Sequence, residues 1–103
     1  ALKHYEALLG LLPGDPGALY RLGHLCMHMG QNDRAVGYLE KIPQVSPGDA
    51  NASVFIGAAY LLARARIQQG RLEEAAAAVQ RGLQVDPRSQ QLLYLEAQVK
   101  LKQ

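Results

Sequence analysis

Cysteine occurs once in this chain, at Cys26, and tryptophan not at all. A single thiol cannot form an intrachain disulfide, and a lone cysteine suits reducing and oxidising surroundings alike, so the compartment stays open. Basic runs are also missing. Eleven Lys and Arg against nine Asp and Glu leave a formal net charge of +2, too little to draw the chain to nucleic acid, whose binding rests on clustered cations. The balance drifts along the chain: residues 1–55 hold four basic and five acidic side chains, residues 56–103 seven and four. Nothing approaches the roughly 20 apolar residues that a membrane-spanning helix requires; the most apolar stretch, 54–63, stops at Arg64. No charged-then-apolar leader opens the sequence, and Ala1 already falls in a helical pattern, so the chain is expected to begin inside a longer array. Glycine-rich phosphate loops, nucleophile elbows and paired acids in a cleft are absent. Glu73 and Glu74 are adjacent and open a surface helix, where negative charge suits the helix N-terminus. No enzymatic activity and no cofactor are expected.

What the chain does contain is periodicity. Hydrophobic residues make up 49% of it, enough for one folded domain. Shifted by 34 positions, Ala1 falls on Ala35, Leu2 on Val36, Tyr5 on Leu39, Leu8 on Ile42, Leu11 on Val45 and Pro13 on Pro47. Shifted by 40, Tyr20 falls on Tyr60, Leu22 on Leu62, Gly23 on Ala63, Gly30 on Gly70, Ala35 on Ala75, Leu39 on Val79, Val45 on Val85 and Pro47 on Pro87. A further shift of 34 carries Tyr60 to Tyr94 and Ala63 to Ala97. Within each copy the apolar residues stand three and four apart in two stretches separated by a polar turn with glycine, the pattern of two amphipathic helices folded into a hairpin. The first complete copy predicts a helix over 17–29 that Gly30 ends, with Gln31, Asn32 and Asp33 available to cap the next. The second predicts a helix to Gln69, a stop at Gly70 and a partner helix over 72–85. Gly23, Ala35, Ala63 and Ala75 are small where the helices of each hairpin must approach.

These residues resemble the tetratricopeptide repeat, a 34-residue helix-turn-helix unit: Leu22, Gly23, Gly30, Ala35, Leu39 and Pro47, then Leu62, Ala63, Gly70, Ala75, Val79 and Pro87. The resemblance covers the whole chain. It implies an all-α fold, a solenoid of antiparallel helix hairpins in a right-handed superhelix. On that reading residues 1–15 are the second helix of a preceding repeat, 16–49 a complete repeat, 50–55 an insertion extending the next helix, 56–89 a second complete repeat and 90–103 the first helix of a further one. The related pentatricopeptide repeat, which reads single-stranded RNA, fits less well because the closing prolines are present and a basic ladder is not. The sequence departs from the family pattern in three ways. Leu19, Ala59, Leu39 and Val79 stand where the family has large aromatics, and Cys26 and Arg66 replace an inward-facing one. From Pro13 to Tyr20 and from Pro87 to Tyr94 is seven residues, but from Pro47 to Tyr60 is 13, which places six extra residues at 50–55; with Asp49 as a cap they predict a helix over about 50–69, overhanging by about 9 Å. Pro43 should stop or kink the preceding helix near Ile42.

In such a solenoid the first helix of each hairpin lines the concave face. Tyr20, Tyr60 and Tyr94 recur on those helices, each followed one turn later by a polar side chain: His24, Arg64 and Gln98. A row of phenol and polar pairs could grip an extended peptide or a partner helix; the same tyrosines also suit packing between neighbouring repeats. Phe55, the only phenylalanine, is a further candidate contact for a partner or for self-association, and it also suits a place in the core beneath Pro43 and Val45. His24 and His28 share a helix face, but two imidazoles do not complete a zinc site and Cys26 points toward another side, so the pair reads as solvent-facing groove histidines and no metal is expected. Family members that hold chaperone tails use a Lys, Asn and Arg clamp; here Tyr20, His24, Leu61, Gln91 and Leu95 stand at its places, so that recognition is not implied.

The leading functional reading is a scaffold segment that binds a partner protein or peptide through the concave groove, without nucleic acid and without membrane insertion. The alternative is a spacer or self-assembly element of a larger protein. Seven Arg against four Lys, with frequent Ala, Leu and Gln, is similar to repeat tracts of bacterial envelope and polysaccharide-export proteins, though eukaryotic scaffolds share that composition.

Overall fold

The computed structural model describes residues 15–42, 45, 46 and 48–103, together with Lys3 and Ala7. Through them run α1 (Pro16–His28), α2 (Asn32–Leu39), α3 (Ala52–Gln68), α4 (Leu72–Val85) and α5 (Gln90–Lys102), with no strand among the described residues. Of the second helix expected in residues 1–15 only Lys3, Ala7 and Asp15 are described, and the prolines at 13, 43 and 47 lie outside the described residues.

Two helices begin as their sequences dictate. Asp15 Oδ2 accepts a hydrogen bond from Ala18 N at 2.9 Å with Pro16 in the first turn, and Ser89 Oγ accepts from Leu92 N at 3.4 Å. The expected cap of α2 does not form. Gln31 has ψ 70°, away from the extended backbone from which a cap side chain reaches the first turn, and its Oε1 accepts from Arg34 Nη1 at 3.1 Å instead.

Both hairpin turns close in the same way. Gly30 and Gly70 each have φ +78°, a conformation that costs a side chain about 1–2 kcal/mol. Around Gly30 the amides of Gly30 and Gln31 donate to Met27 and Cys26 at 3.0 and 2.8 Å; around Gly70 those of Gly70 and Arg71 donate to Ile67 and Arg66 at the same two distances. These paired bonds satisfy the carbonyls that a helix end leaves free. Two turns 40 residues apart in sequence thus have one geometry, which is the repeat expressed in hydrogen bonds.

The junction between the hairpins is remodelled, with different bounds from those the sequence suggests. α2 ends at Leu39 rather than near Ile42, and its exit tightens into bonds from Lys41 N to Tyr38 O and Ile42 N to Leu39 O, both 3.2 Å. α3 starts at Ala52, not at about 50. Asp49 Oδ1 accepts from Asn51 N at 2.8 Å and Asp49 O from Ala52 N at 3.0 Å, so Asp49 builds a turn ahead of the helix and caps nothing. With 17 residues against 13 in α1, α3 overhangs by about 6 Å at 1.5 Å per residue, not 9 Å.

Each helix packs against the next, and each odd-numbered helix also packs against the next odd-numbered one. α1 meets α2 and α3, α3 also meets α2, α4 and α5, and α4 meets α5, while among the described residues α2 and α4 do not touch. The odd-numbered helices therefore form one continuous layer, and α2 and α4 lie on its back, spread apart. Two layers of helices about 10 Å across account for the shortest dimension of the molecule, which measures 40 × 31 × 17 Å. The core between them is aliphatic, as the missing aromatics required: Leu19, Leu22, Cys26, Val79, Leu92 and Val99 are its largest fully buried side chains. Gly23, Ala35, Ala63 and Ala75 are all buried at the interhelical contacts.

Arg66 corrects one expectation. It occupies an inward position of the repeat, but its guanidinium does not enter the core. The stem lies along apolar surface and the head reaches the back edge, where it pairs with Glu40, just past α2, and with Glu74 of α4 at 3.0 Å. Gln69 donates beside it to Asp33 of α2. Arg66 thus links the exit of α2 to α4, two helices that do not meet directly, and Gln69, at the C-terminal end of α3, adds a bond to α2.

Candidate partner-binding face

Helical spacing puts Tyr20, His24 and His28 on one stripe of α1 and Tyr60, Arg64 and Gln68 on the equivalent stripe of α3, each three or four residues from the next. Because α1 and α3 pack side by side, the stripes face a shared cleft of about 280 Å³ lined by His24, Met27 and His28 from α1 and Leu61, Arg64 and Gln68 from α3. It opens on the odd-numbered layer, away from α2 and α4. Leu61 is buried and Met27 half-buried, so the floor is apolar, whereas His24, His28, Arg64 and Gln68 are exposed around it.

Each sequence-predicted pair is in contact. The rings of Tyr20 and His24 lie 6.4 Å apart and tilted. The Arg64 guanidinium stands 5.5 Å from the Tyr60 ring centroid, within reach of the attraction between a cation and a ring face. Gln98 Nε2 donates to Tyr94 Oη at 2.9 Å. The three pairs do not form one uniform row. His24 and Arg64 meet across the same cleft; Tyr94 and Gln98, on α5, lie outside it, with Tyr94 62% exposed. Tyr20 has a packing role as well: its ring rests on α3 where Gly57 has no side chain, and a Cβ there would lie 3.0 Å from Tyr20 Cε1. Tyr60 also packs against the core.

Phe55 is 4% exposed. It lies three and four residues before Ala58 and Ala59 and faces the core with them, against Leu39 and Ile42, so of its two roles the structure gives it the interior one. Extending α3 by a turn carried its core stripe along. Met27, His28, Leu61 and Gln68 complete the cleft; His28 is there as the groove histidine its spacing from His24 suggests and Leu61 stands at a clamp position of peptide-binding relatives, whereas Met27 and Gln68 carry no site expectation from the sequence. For Gln68 a signal exists in the sequence, since it follows Arg64 by one helical turn as His28 follows His24. Among the described residues no three His, Cys, Asp or Glu side chains converge as metal ligands do, and no helix is long and apolar enough to cross a membrane.

Hairpins that touch only their neighbours in sequence, each closed by the same glycine turn, define an α-helical repeat protein. Tetratricopeptide-repeat families match this chain over residues 1–53 and 58–103, and the chain belongs to the tetratricopeptide-repeat family. The gap between the two matches falls in the first turns of α3, beside the lengthened junction. Among known proteins the chain is similar to Protein CTR9 homolog of Arabidopsis thaliana, with 37% identity over 54 residues, which is 52% of this chain and 5% of that protein. Tetratricopeptide repeats generally mediate protein–protein interaction and typically serve as non-enzymatic scaffolds.

Proposed function

We propose that this chain is a scaffold segment that recruits a partner protein or peptide on the face formed by α1, α3 and α5, with 16–49 and 56–89 as its two complete repeats. The observation that supports this reading most directly is the cleft between α1 and α3: apolar at its floor, polar at its rim, and assembled from two different repeats. Such a surface suits an extended or helical segment whose apolar side chains enter the floor while its polar groups meet His24, Arg64 and Gln68. Tyr60 positions Arg64 from below, and Tyr20 combines rim contact with support of the next repeat. Tyr94 and Gln98 continue the same face.

Arg64 is the position for a clean test because it is exposed, and surface substitutions typically alter stability by no more than about 0.5 kcal/mol. Affinity enrichment from the source cells, comparing the unaltered protein with the His24→Ala/Arg64→Ala variant, should show partner recovery falling about tenfold with the unfolding midpoint unchanged. Glu73→Ala, on the opposite side, should leave recovery intact. Retained recovery in the double variant, with loss in Glu73→Ala, would place the binding surface on α2 and α4 instead.

A second reading, a spacer or self-assembly element, draws on one feature. α5 exposes Leu93, Ala97 and Leu101 four residues apart, with Leu101 88% exposed, an apolar stripe at positions equivalent to Ala59, Ala63 and Ile67 of α3. Light scattering over a concentration series should show mass rising with concentration if the stripe pairs, and Leu93→Glu/Leu101→Glu should return it to that of a monomer; a constant monomer mass removes this reading.

A further inference from the structure

The charge that is nearly balanced in the sequence is sorted by helix layer. α1, α3 and α5 together hold Arg21, Arg64, Arg66, Lys100 and Lys102 against Glu96 alone, whereas α2 and α4 hold Asp33, Glu73 and Glu74 against Arg34 and Arg81. Two of these charges on the odd-numbered layer are engaged at the back: Arg66 by Glu40 and Glu74, and Glu96 by Gln80 of α4. Arg64 is different. No carboxylate among the described residues pairs with it; its neighbours are the Tyr60 ring and the cleft it shares with His24, His28 and Gln68. No acid among the described residues lines that cleft. Its rim offers hydrogen-bond donors in the guanidinium, the Gln68 amide and the two imidazoles, over a floor of Met27 and Leu61.

We propose that the cleft between α1 and α3 binds carboxylate side chains of an acidic protein segment, with Arg64 as the principal charge partner and His24, His28 and Gln68 as further donors; this rests on the partner-binding reading above. A carboxylate entering here supplies a counter-charge that no described residue gives Arg64, through hydrogen bonds strengthened by charge. Apolar residues beside the acid fit the floor. A nucleic acid backbone fits less well, because it needs cations repeated along the strand, and among the described residues Arg64 is the one permanent cation lining this cleft.

The test uses a short synthetic peptide of alternating Glu and Leu, its counterpart with Gln in place of Glu, and a single-stranded oligothymidylate, each titrated into the isotopically labelled protein while backbone amide shifts are followed. The Glu peptide should shift amides around His24, His28, Arg64 and Gln68, and the Gln counterpart should bind there about tenfold more weakly, the loss expected when a charge-assisted hydrogen bond becomes a neutral one. Arg64→Gln should abolish that preference, Arg81→Gln, the same charge change on α4, should preserve it, and raising salt should weaken the Glu peptide selectively. Equal binding of the Glu and Gln peptides in the cleft overturns the carboxylate assignment while leaving the partner-binding face standing. Shifts confined to α2 and α4, or no shifts with either peptide, overturn the carboxylate assignment and remove support from that face as well. Stronger binding of the oligothymidylate than of the Glu peptide at these residues overturns it in favour of nucleic acid.

Discussion

Leu39→Ala should destabilise the protein by about 2–5 kcal/mol, as removal of a fully enclosed leucine side chain does, and Gly23→Ala made in that background should recover part of the loss. Leu39 is 2% exposed and packs against Gly23 across the α1–α2 hairpin. A Cβ at Gly23 would fall 2.5 Å from Leu39 Cδ2 and 2.6 Å from Cγ, closer than carbon atoms tolerate. In the unaltered protein Gly23→Ala should therefore cost about 1–3 kcal/mol as overpacking, against the roughly 1 kcal/mol that alanine gains over glycine in a helix. Once Leu39 is shortened, the same methyl enters vacated space. Urea unfolding of the two single variants and the double variant checks this: the summed single losses should exceed that of the double by about 1 kcal/mol or more. Additive losses would mean that the two positions do not share one packing site. At about 4–8 °C per kcal/mol for a domain of this size, Leu39→Ala alone should lower the thermal midpoint by about 10 °C or more.

Gly82→Val should be the most damaging of the glycine substitutions. A Cβ at Gly82 meets Leu92 Cδ1 at 2.6 Å and Ala59 Cβ at 3.0 Å. These neighbours belong to α5 and α3, both are buried, and the alanine methyl has no rotamer by which to withdraw, so strain relieved against one helix is transferred to the other. The loss should lie at the upper end of the roughly 1–3 kcal/mol range for overpacking, accompanied by faster amide hydrogen exchange in α5. Gly37→Ala provides the contrast. Its Cβ would have nothing within 4 Å on an exposed face of α2, so the protein should gain about 0.5–1 kcal/mol from the better helix former. If Gly82→Val is as well tolerated as Gly37→Ala, α5 does not pack on the hairpin as described.

The close approaches differ in how visible they are before folding. Gly23 stands at the small-residue position of the repeat, and Ala63 and Ala97 mark its other copies, so the need for a small side chain there can be read from the spacing alone. Gly82 and Gly57 have no such signature. Their requirement arises from neighbours in the following helix or the preceding repeat, Leu92 against Gly82 and Tyr20 against Gly57, and those distances depend on how one hairpin is set upon another. Arg66 shows the same divide. Its inward register follows from the repeat, yet its pairing with Glu40 and Glu74 depends on the stem running past the end of the shortened α2.

By itself the sequence determined the helix pairs, their glycine turns, the aliphatic core and the pairing of each tyrosine with the polar residue four positions on. All of these follow from spacings within one helix or one hairpin, where the 3.6-residue period and the backbone freedom of Gly30 and Gly70 leave little choice. Only the tertiary structure decided that His24, His28, Arg64 and Gln68 surround one cleft, that Phe55 lies inside, and that charges mixed along the chain separate between the two layers. Those outcomes depend on the lateral packing of α1 against α3, two helices separated by a complete helix and a remodelled turn, and no periodicity within either helix encodes the offset at which they meet.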